Sequence, residues 1–194
     1  MSIQCKERVS EAPLERAEQL HGVLENLHLP DVRLSTAQLS KVANAVAAHP
    51  ELFEDLIVDP ENRWWLLLYR TPVFEVKPLT WQKDEVSDWH DHGGSSGALR
   101  VTSGSLRERQ RASDGVSVEA DVLDAGECAS FATDYVHDVA RVSKAPAVSI
   151  HAYSPPLNGL TFYDRTRFGF IAREFIEEER RSTFRSARPI IEDC

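Results

Sequence analysis

The chain has 194 residues, of which 42% are hydrophobic and 27% charged, enough apolar material for one ordinary globular core and too much for a disordered chain. Its formal net charge of −9 would repel phosphate backbones, which argues against a nucleic-acid partner, and its longest apolar run, around Trp64–Tyr69, is far too short to span a bilayer. The three cysteines, Cys5, Cys128 and Cys194, are odd in number and widely spread; they fit neither a disulfide framework nor a zinc spacing. With no apolar run of signal-peptide type at the N-terminus, this predicts a reducing, cytoplasmic setting.

Two helical patterns come first. Leu20, Val23, Leu24 and Leu27 recur at the spacing of one helix face, and Leu39, Val42, Ala43 and Val46 repeat it. The second helix has a start signal, Ser35 followed three residues later by Gln38, which is a capping box, and Pro50 predicts its end. A short helix is expected over Glu51–Val58. From residue 64 the texture changes to short apolar or alternating runs. Val73–Leu79, Ala98–Thr102, Leu106–Gln110, Val116–Val122, Cys128–Phe131, Asp138–Val142, Ala147–Tyr153 and Leu160–Tyr163 all read as strands, separated by glycine-containing turns. Strands at this spacing predict a β-sandwich or barrel. After residue 170 the pattern reads as helical and heavily charged, with Glu177–Arg181 as a solvated helix face. The expectation is one domain over 1–194: a helical part at 1–60, a β core at 64–163 and a C-terminal extension at 164–194.

Seven histidines are present. His21, His28 and His49 fall in the helical region and read as ordinary surface or packing residues. His90-Asp91-His92 is different: on a strand, residues two apart leave from the same face, close enough to share one metal ion. The pair is followed by Gly93, Gly94 and Gly97.

These residues resemble the first motif of the cupin barrels, with Gly97 at the position often held by glutamate and Gly104 at the later glycine. Gly126 and, eleven residues on, His137 have the spacing of the second cupin motif, although Ala132 and Asp134 stand where its proline and second glycine would be. The resemblance implies a mainly β cupin fold, a double-stranded β-helix, with His90, His92 and His137 as three metal ligands. Three neutral imidazoles suit Fe(II), Zn(II), Cu or Ni by ligand type. Without the motif's carboxylate the site keeps the full +2 charge and open positions, room for a chelating anionic substrate together with O2.

Two blocks narrow the likeness. They are Trp89–Ala98, and Val136–Val139 continuing to Ala147–Pro156. Across roughly residues 64–163 the chain resembles the cysteine dioxygenases, of bacterial type. In that family the residues at Ser149, His151 and Tyr153, which alternate and therefore share one strand face, form a hydrogen-bonded relay ending at the iron site. The resemblance implies an Fe(II) cofactor, L-cysteine and O2 as substrates and cysteine sulfinic acid as product. It also implies a cis Ser154-Pro155 bond and a carboxylate-binding arginine before the histidine pair, either Arg70 or Arg63. Animal relatives have a cysteine at Gly97 cross-linked to the site tyrosine, which implies an unmodified Tyr153 here; Cys128 reads as a buried structural thiol. Arginine at the Arg70 position favours cysteine in the family, and glutamine favours 3-mercaptopropionate.

Three rivals stand beside this reading. One is the same chemistry on 3-mercaptopropionate or another small thiol. The second is a cupin that only binds metal or ligand, and the third a zinc or manganese isomerase or hydrolase. The expected partners are a small thiol and O2, with no nucleic acid and no membrane, on a monomer or weak oligomer.

Overall fold

The computed structural model describes residues 13–53, 65–82 and 86–177. Helix α1 runs over Pro13–Glu25 and α2 over Thr36–Ala47, followed by a single 3-10 turn at Pro50–Leu52. The capping box starts α2 as expected: the Ser35 hydroxyl accepts from the Gln38 backbone N–H (3.3 Å), and the Gln38 side-chain oxygen accepts from the Ser35 N–H (2.9 Å). Leu39, Val42, Ala43 and Val46 are all buried. Helix α1 stops two residues short of Leu27, which still packs on the same core. The helix expected over Glu51–Val58 is represented by the 3-10 turn, and its remainder lies outside the described residues.

Among the described residues ten strands follow: β1 Tyr69–Arg70, β2 Glu75–Trp81, β3 Ser96–Ser103, β4 Ser105–Arg111, β5 Val118–Asp124, β6 Cys128–Phe131, β7 His137–Arg141, β8 Ala147–Ser154, β9 Gly159–Thr166 and β10 Gly169–Glu177. Each expected strand is present with its ends moved by a few residues. The fold is mainly β, in two antiparallel layers. One sheet has the order β1-β2-β8-β3-β6. The other layer joins β5-β4-β7 to the β9-β10 hairpin through residues 86–91, which bridge Val86 to Ala140 and His90 to both His137 and Phe162. Chain-distant strands interleaved in this way form the expected cupin barrel.

Strand alternation sorts the first sheet cleanly. Val76, Ala98, Val148, Ile150 and Ala152 point outward and pack under α1 and α2. Leu79, Trp81, Leu99, Val101 and Ala147 point inward and meet Leu106 and Val139 of the opposite layer, closing one end of the barrel. At the other end Phe131, Tyr153, Leu157 and Leu160 form a second inner cluster, with Tyr135 and Phe162 beside it. The candidate site lies at this end.

The helical reading after residue 170 is corrected. Gly169 (φ 127) reverses the chain, the Thr166 hydroxyl donates to the Gly169 carbonyl (3.0 Å), and Gly169–Glu177 returns as strand β10 along β9. Most of β10 is exposed, so its charges serve a solvated strand face, and a one-sided polar strand carries the composition of a solvated helix. Most of the Glu177–Arg181 run lies outside the described residues, as do Cys5, Cys194 and Arg63. Ser154-Pro155 is cis. Cys128 is half-buried rather than buried. No helix among the described residues is long and apolar enough to cross a membrane.

Candidate metal centre

His90, His92 and His137 converge. One nitrogen from each ring lies within 4.8 Å of the others, and all three residues are buried. The ring centroids form a near-equilateral triangle with edges of 5.1, 4.8 and 5.0 Å. Strand pairing brings the distant pieces together: His90 N–H donates to the His137 carbonyl (2.9 Å) and His137 N–H returns the bond (3.0 Å). His92 is held from its other side by Phe131, whose ring stacks on it at 4.4 Å.

The tautomers suit a metal. His90 Nδ1 lies 2.7 Å from the Asp88 carbonyl oxygen, which can only accept, so Nδ1 carries the proton and Nε2 is left with its lone pair. His137 Nδ1 lies 2.6 Å from Glu108 Oε1, and the same argument frees its Nε2. A buried triangle of imidazoles, two of them oriented by protein acceptors on the far nitrogen, is a fit to a divalent transition metal.

The loop carrying the first pair is braced by Asp91. Its carboxylate accepts from the Gly93 N–H (2.9 Å), the Thr161 N–H (3.3 Å) and the Tyr163 hydroxyl (2.7 Å). Burial and this bond push the Tyr163 phenol up to about 12. Gly93 takes a positive φ of 57°, and a Cβ there would meet Asn158 Oδ1 at 2.4 Å, so no side chain fits.

Ser149, His151 and Tyr153 lie on the inner face of β8, all buried. Ser149 Oγ is 2.9 Å from His151 Nε2, and His151 Nδ1 is 3.0 Å from the Tyr153 hydroxyl. The chain extends one step further than the sequence reading. Trp81 Nε1–H donates to Ser149 Oγ (2.9 Å). An indole N–H can only donate, so Ser149 receives there and passes its own proton toward His151 Nε2; Nδ1–H then faces the tyrosine oxygen. The Tyr153 ring lies 5.3 Å from that of His92, which places the end of the relay beside the imidazole triangle.

A family model for cysteine dioxygenase type I matches residues 10–166. The chain belongs to the cysteine dioxygenase type I family. The human cysteine dioxygenase type 1 is 31% identical over 101 residues, covering 47% of this chain and 50% of that protein, and the Pongo abelii protein matches to the same extent. The chain thus spans about half the length of the curated relatives it matches. Among solved structures, a Klebsiella pneumoniae protein with a double-stranded β-helix domain gives a TM-score of 0.49 at 18% identity, covering 57% of this chain and 94% of that one.

Within this cysteine dioxygenase family chain, one row of residues crosses the inner face of the first sheet: Arg70, Glu75, Tyr153, Gly97 and Phe131 are successive cross-strand partners. Gly97 thus sits directly opposite Tyr153, the arrangement in which a cysteine at that position would neighbour the phenol. Here the space is taken by Phe131, since a Cβ on Gly97 would lie 2.2 Å from Phe131 Cζ. Arg70 stands at the rim with its side chain 45% exposed, and its Nη1 pairs with Glu75 Oε2 at 3.1 Å. Glu75 is fully buried and also pairs with Lys77 Nζ at 2.9 Å. Lys77 is the cross-strand partner of His151, so a buried carboxylate and ammonium line the wall beside the relay.

Trp81, Glu108, Phe131, Glu75 and Lys77 all escaped the sequence reading. Alternation offered a signal for most of them. Glu75, Lys77, Leu79 and Trp81 share one face of β2, and Glu108 shares the inner face of β4 with Leu106.

Proposed function

We propose that this chain is a non-haem iron thiol dioxygenase that adds both atoms of O2 to the thiol of L-cysteine, RSH becoming RSO2H, cysteine sulfinic acid. The observation that carries the reading is the buried triangle of His90, His92 and His137 with the Ser149–His151–Tyr153 relay at its edge, in a chain of this family. Fe(II), when held by the three imidazoles, would supply the one-electron chemistry that lets O2 react with a thiolate.

The protein's own groups account for the rest. Three neutral imidazoles would leave the charge of a bound divalent ion uncompensated by the protein's direct ligands, a setting that suits an anionic thiolate. The far nitrogens of His90 and His137 are tied to Asp88 and Glu108, which keeps both rings aimed at one point. Ser149 and Trp81 fix the His151 ring, and His151 holds the Tyr153 oxygen, so the phenol is oriented toward the reacting groups before substrate arrives. The inner clusters around Phe131, Leu157 and Leu160 exclude water from this end of the barrel. Arg70, on the row that includes Tyr153, is proposed to receive the substrate carboxylate, with Glu75 holding its guanidinium in place. Arg63 is the other candidate for this role. A reducing cytoplasmic setting would keep the substrate thiol available.

The second reading is 3-mercaptopropionate as substrate. Both thiols carry the carboxylate that Arg70 would receive, so the Arg70–Glu75 pair does not separate them. The test is oxygen uptake by Fe(II)-loaded protein given L-cysteine or 3-mercaptopropionate, with the sulfinate identified. Uptake with neither, nor with any other small thiol, overturns the assignment. Metal analysis of protein isolated without added metal distinguishes iron from zinc or manganese.

A further inference from the structure

We propose that Glu108 restores, from behind His137, the negative charge that the three-histidine site lacks, and thereby sets both the affinity and the reduction potential of the bound metal. The inference rests on reading the three histidines as a metal site. The position where a cupin motif often carries its ligand glutamate is Gly97, and Phe131 fills the space there. Glu108, on the opposite layer, reaches the site from the other side. Its side chain is 7% exposed, that of His137 is 2% exposed, and Oε1 lies 2.6 Å from His137 Nδ1. At His90 the acceptor facing Nδ1, at 2.7 Å, is the neutral backbone carbonyl of Asp88.

The difference between the two supports is one of charge. A carboxylate at Nδ1 draws on the N–H proton and raises electron density at Nε2, which strengthens that nitrogen as a ligand. It also places a full negative charge one imidazole away from the ion in a poorly screened interior, favouring the more highly charged oxidation state. Conversely, a buried carboxylate facing a neutral imidazole is unfavourable until a cation completes the array. Tyr135 regulates the strength of this pull. Its hydroxyl donates to Glu108, and its ring lies 5.1 Å from that of His137. That second donor withdraws charge from Glu108. Glu108 is a positioning residue and Tyr135 its counterweight.

Two variants read the proposal with opposite signs. Glu108→Gln keeps the size and an acceptor oxygen but removes the charge. In Co(II) titrations of the metal-free protein it should bind about 10- to 100-fold more weakly than the parent, and the iron-loaded variant should have a raised midpoint potential. Tyr135→Phe concentrates the carboxylate on His137 and should shift both quantities the other way, to tighter Co(II) binding and a lower potential. A purely structural role would loosen the site in both variants. Equal Co(II) affinity and potential in Glu108→Gln and parent, or both variants shifting the same way, overturns the proposal. Should Glu108→Gln fail to fold, the sign seen with Tyr135→Phe decides. A parent protein that takes up no Co(II) instead overturns the metal site itself.

Discussion

Removing the Ser149 hydroxyl should weaken the fold and the site together, and the size of each loss follows from its two hydrogen bonds. Ser149 is fully buried between Trp81 Nε1–H (2.9 Å) and His151 Nε2 (2.9 Å), and Trp81 and His151 are themselves buried. Ser149→Ala takes one partner from each of two buried polar groups. Each such loss costs about 1–3 kcal/mol, so the destabilisation should be about 3 kcal/mol. For a domain of this size that corresponds to a fall in melting temperature of about 6–12 °C. Loss of the anchor also lets the His151 ring turn, so the phenol is held less well. A penalty of about 1 kcal/mol in the activated complex lowers kcat about fivefold, with KM for the thiol little changed. Denaturant unfolding of the metal-free protein gives the first quantity and oxygen uptake the second. Trp81→Phe in a double-mutant cycle should couple to Ser149→Ala by about 1 kcal/mol, because both delete the same bond. Additive single effects, or a Ser149→Ala protein as stable and active as the parent, would refute the Trp81–Ser149–His151–Tyr153 chain.

Other perturbations probe separate parts of the site. Gly97→Ala puts a methyl group 2.2 Å from Phe131 Cζ; it should cost about 1–3 kcal/mol and loosen metal binding through the Phe131–His92 stack, and Phe131→Leu should partly relieve it, all readable by thermal melting and Co(II) titration. Glu75→Gln leaves the buried Lys77 ammonium without that counter-charge and should destabilise by about 3–5 kcal/mol in urea unfolding, while Arg70→Gln, at the exposed rim, should change stability little and shift preference from cysteine toward 3-mercaptopropionate in paired KM measurements. Adding Fe(II) at a hundred times its dissociation constant should raise stability by about 2.7 kcal/mol, and chelation should remove that increment, monitored by melting temperature. The Tyr163 phenol has a folded pKa raised from 10.0 to about 12 by burial and by Asp91, so its contribution is full below about pH 10 and lost as pH climbs toward 12. Tyr163→Phe should flatten that part of the alkaline unfolding curve.

Legibility in the sequence depended on how local the signal was. The three imidazoles were readable because His-x-His together with the Gly126–His137 spacing resembles the two cupin motifs, each written over a short stretch, and the barrel reunites them by pairing β7 with the segment that includes His90. Ser149, His151 and Tyr153 were placed on one strand face by alternation, and their role as a relay came from the resemblance to the cysteine dioxygenases. Trp81 was hidden because an indole on a core strand reads as packing, and its donor role appears only when β2 and β8 lie side by side. Glu108 sits in Ser105–Arg111, a strand with four charged residues of seven; only the barrel distinguishes the one that turns inward. Glu75 was missed for a related reason: nothing local marks a carboxylate on a mostly apolar strand as paired, and its two cationic partners come from β1 and from its own strand. The C-terminal strand β10 was read as a helix because it is largely exposed and its charges resemble those of a solvated helix face.

The mutual backbone bonds between His90 and His137 bear on when the ion arrives. Two of the three rings are mounted opposite each other on one rung of an antiparallel ladder, and their spacing is therefore a property of the sheet rather than of the ligand they would share. Chain closure brings these two rings together, and an arriving metal would meet them already paired. Stripping and reloading should accordingly be possible without denaturing the protein, and ions too large for that rung spacing should be refused by the scaffold instead of remoulding it.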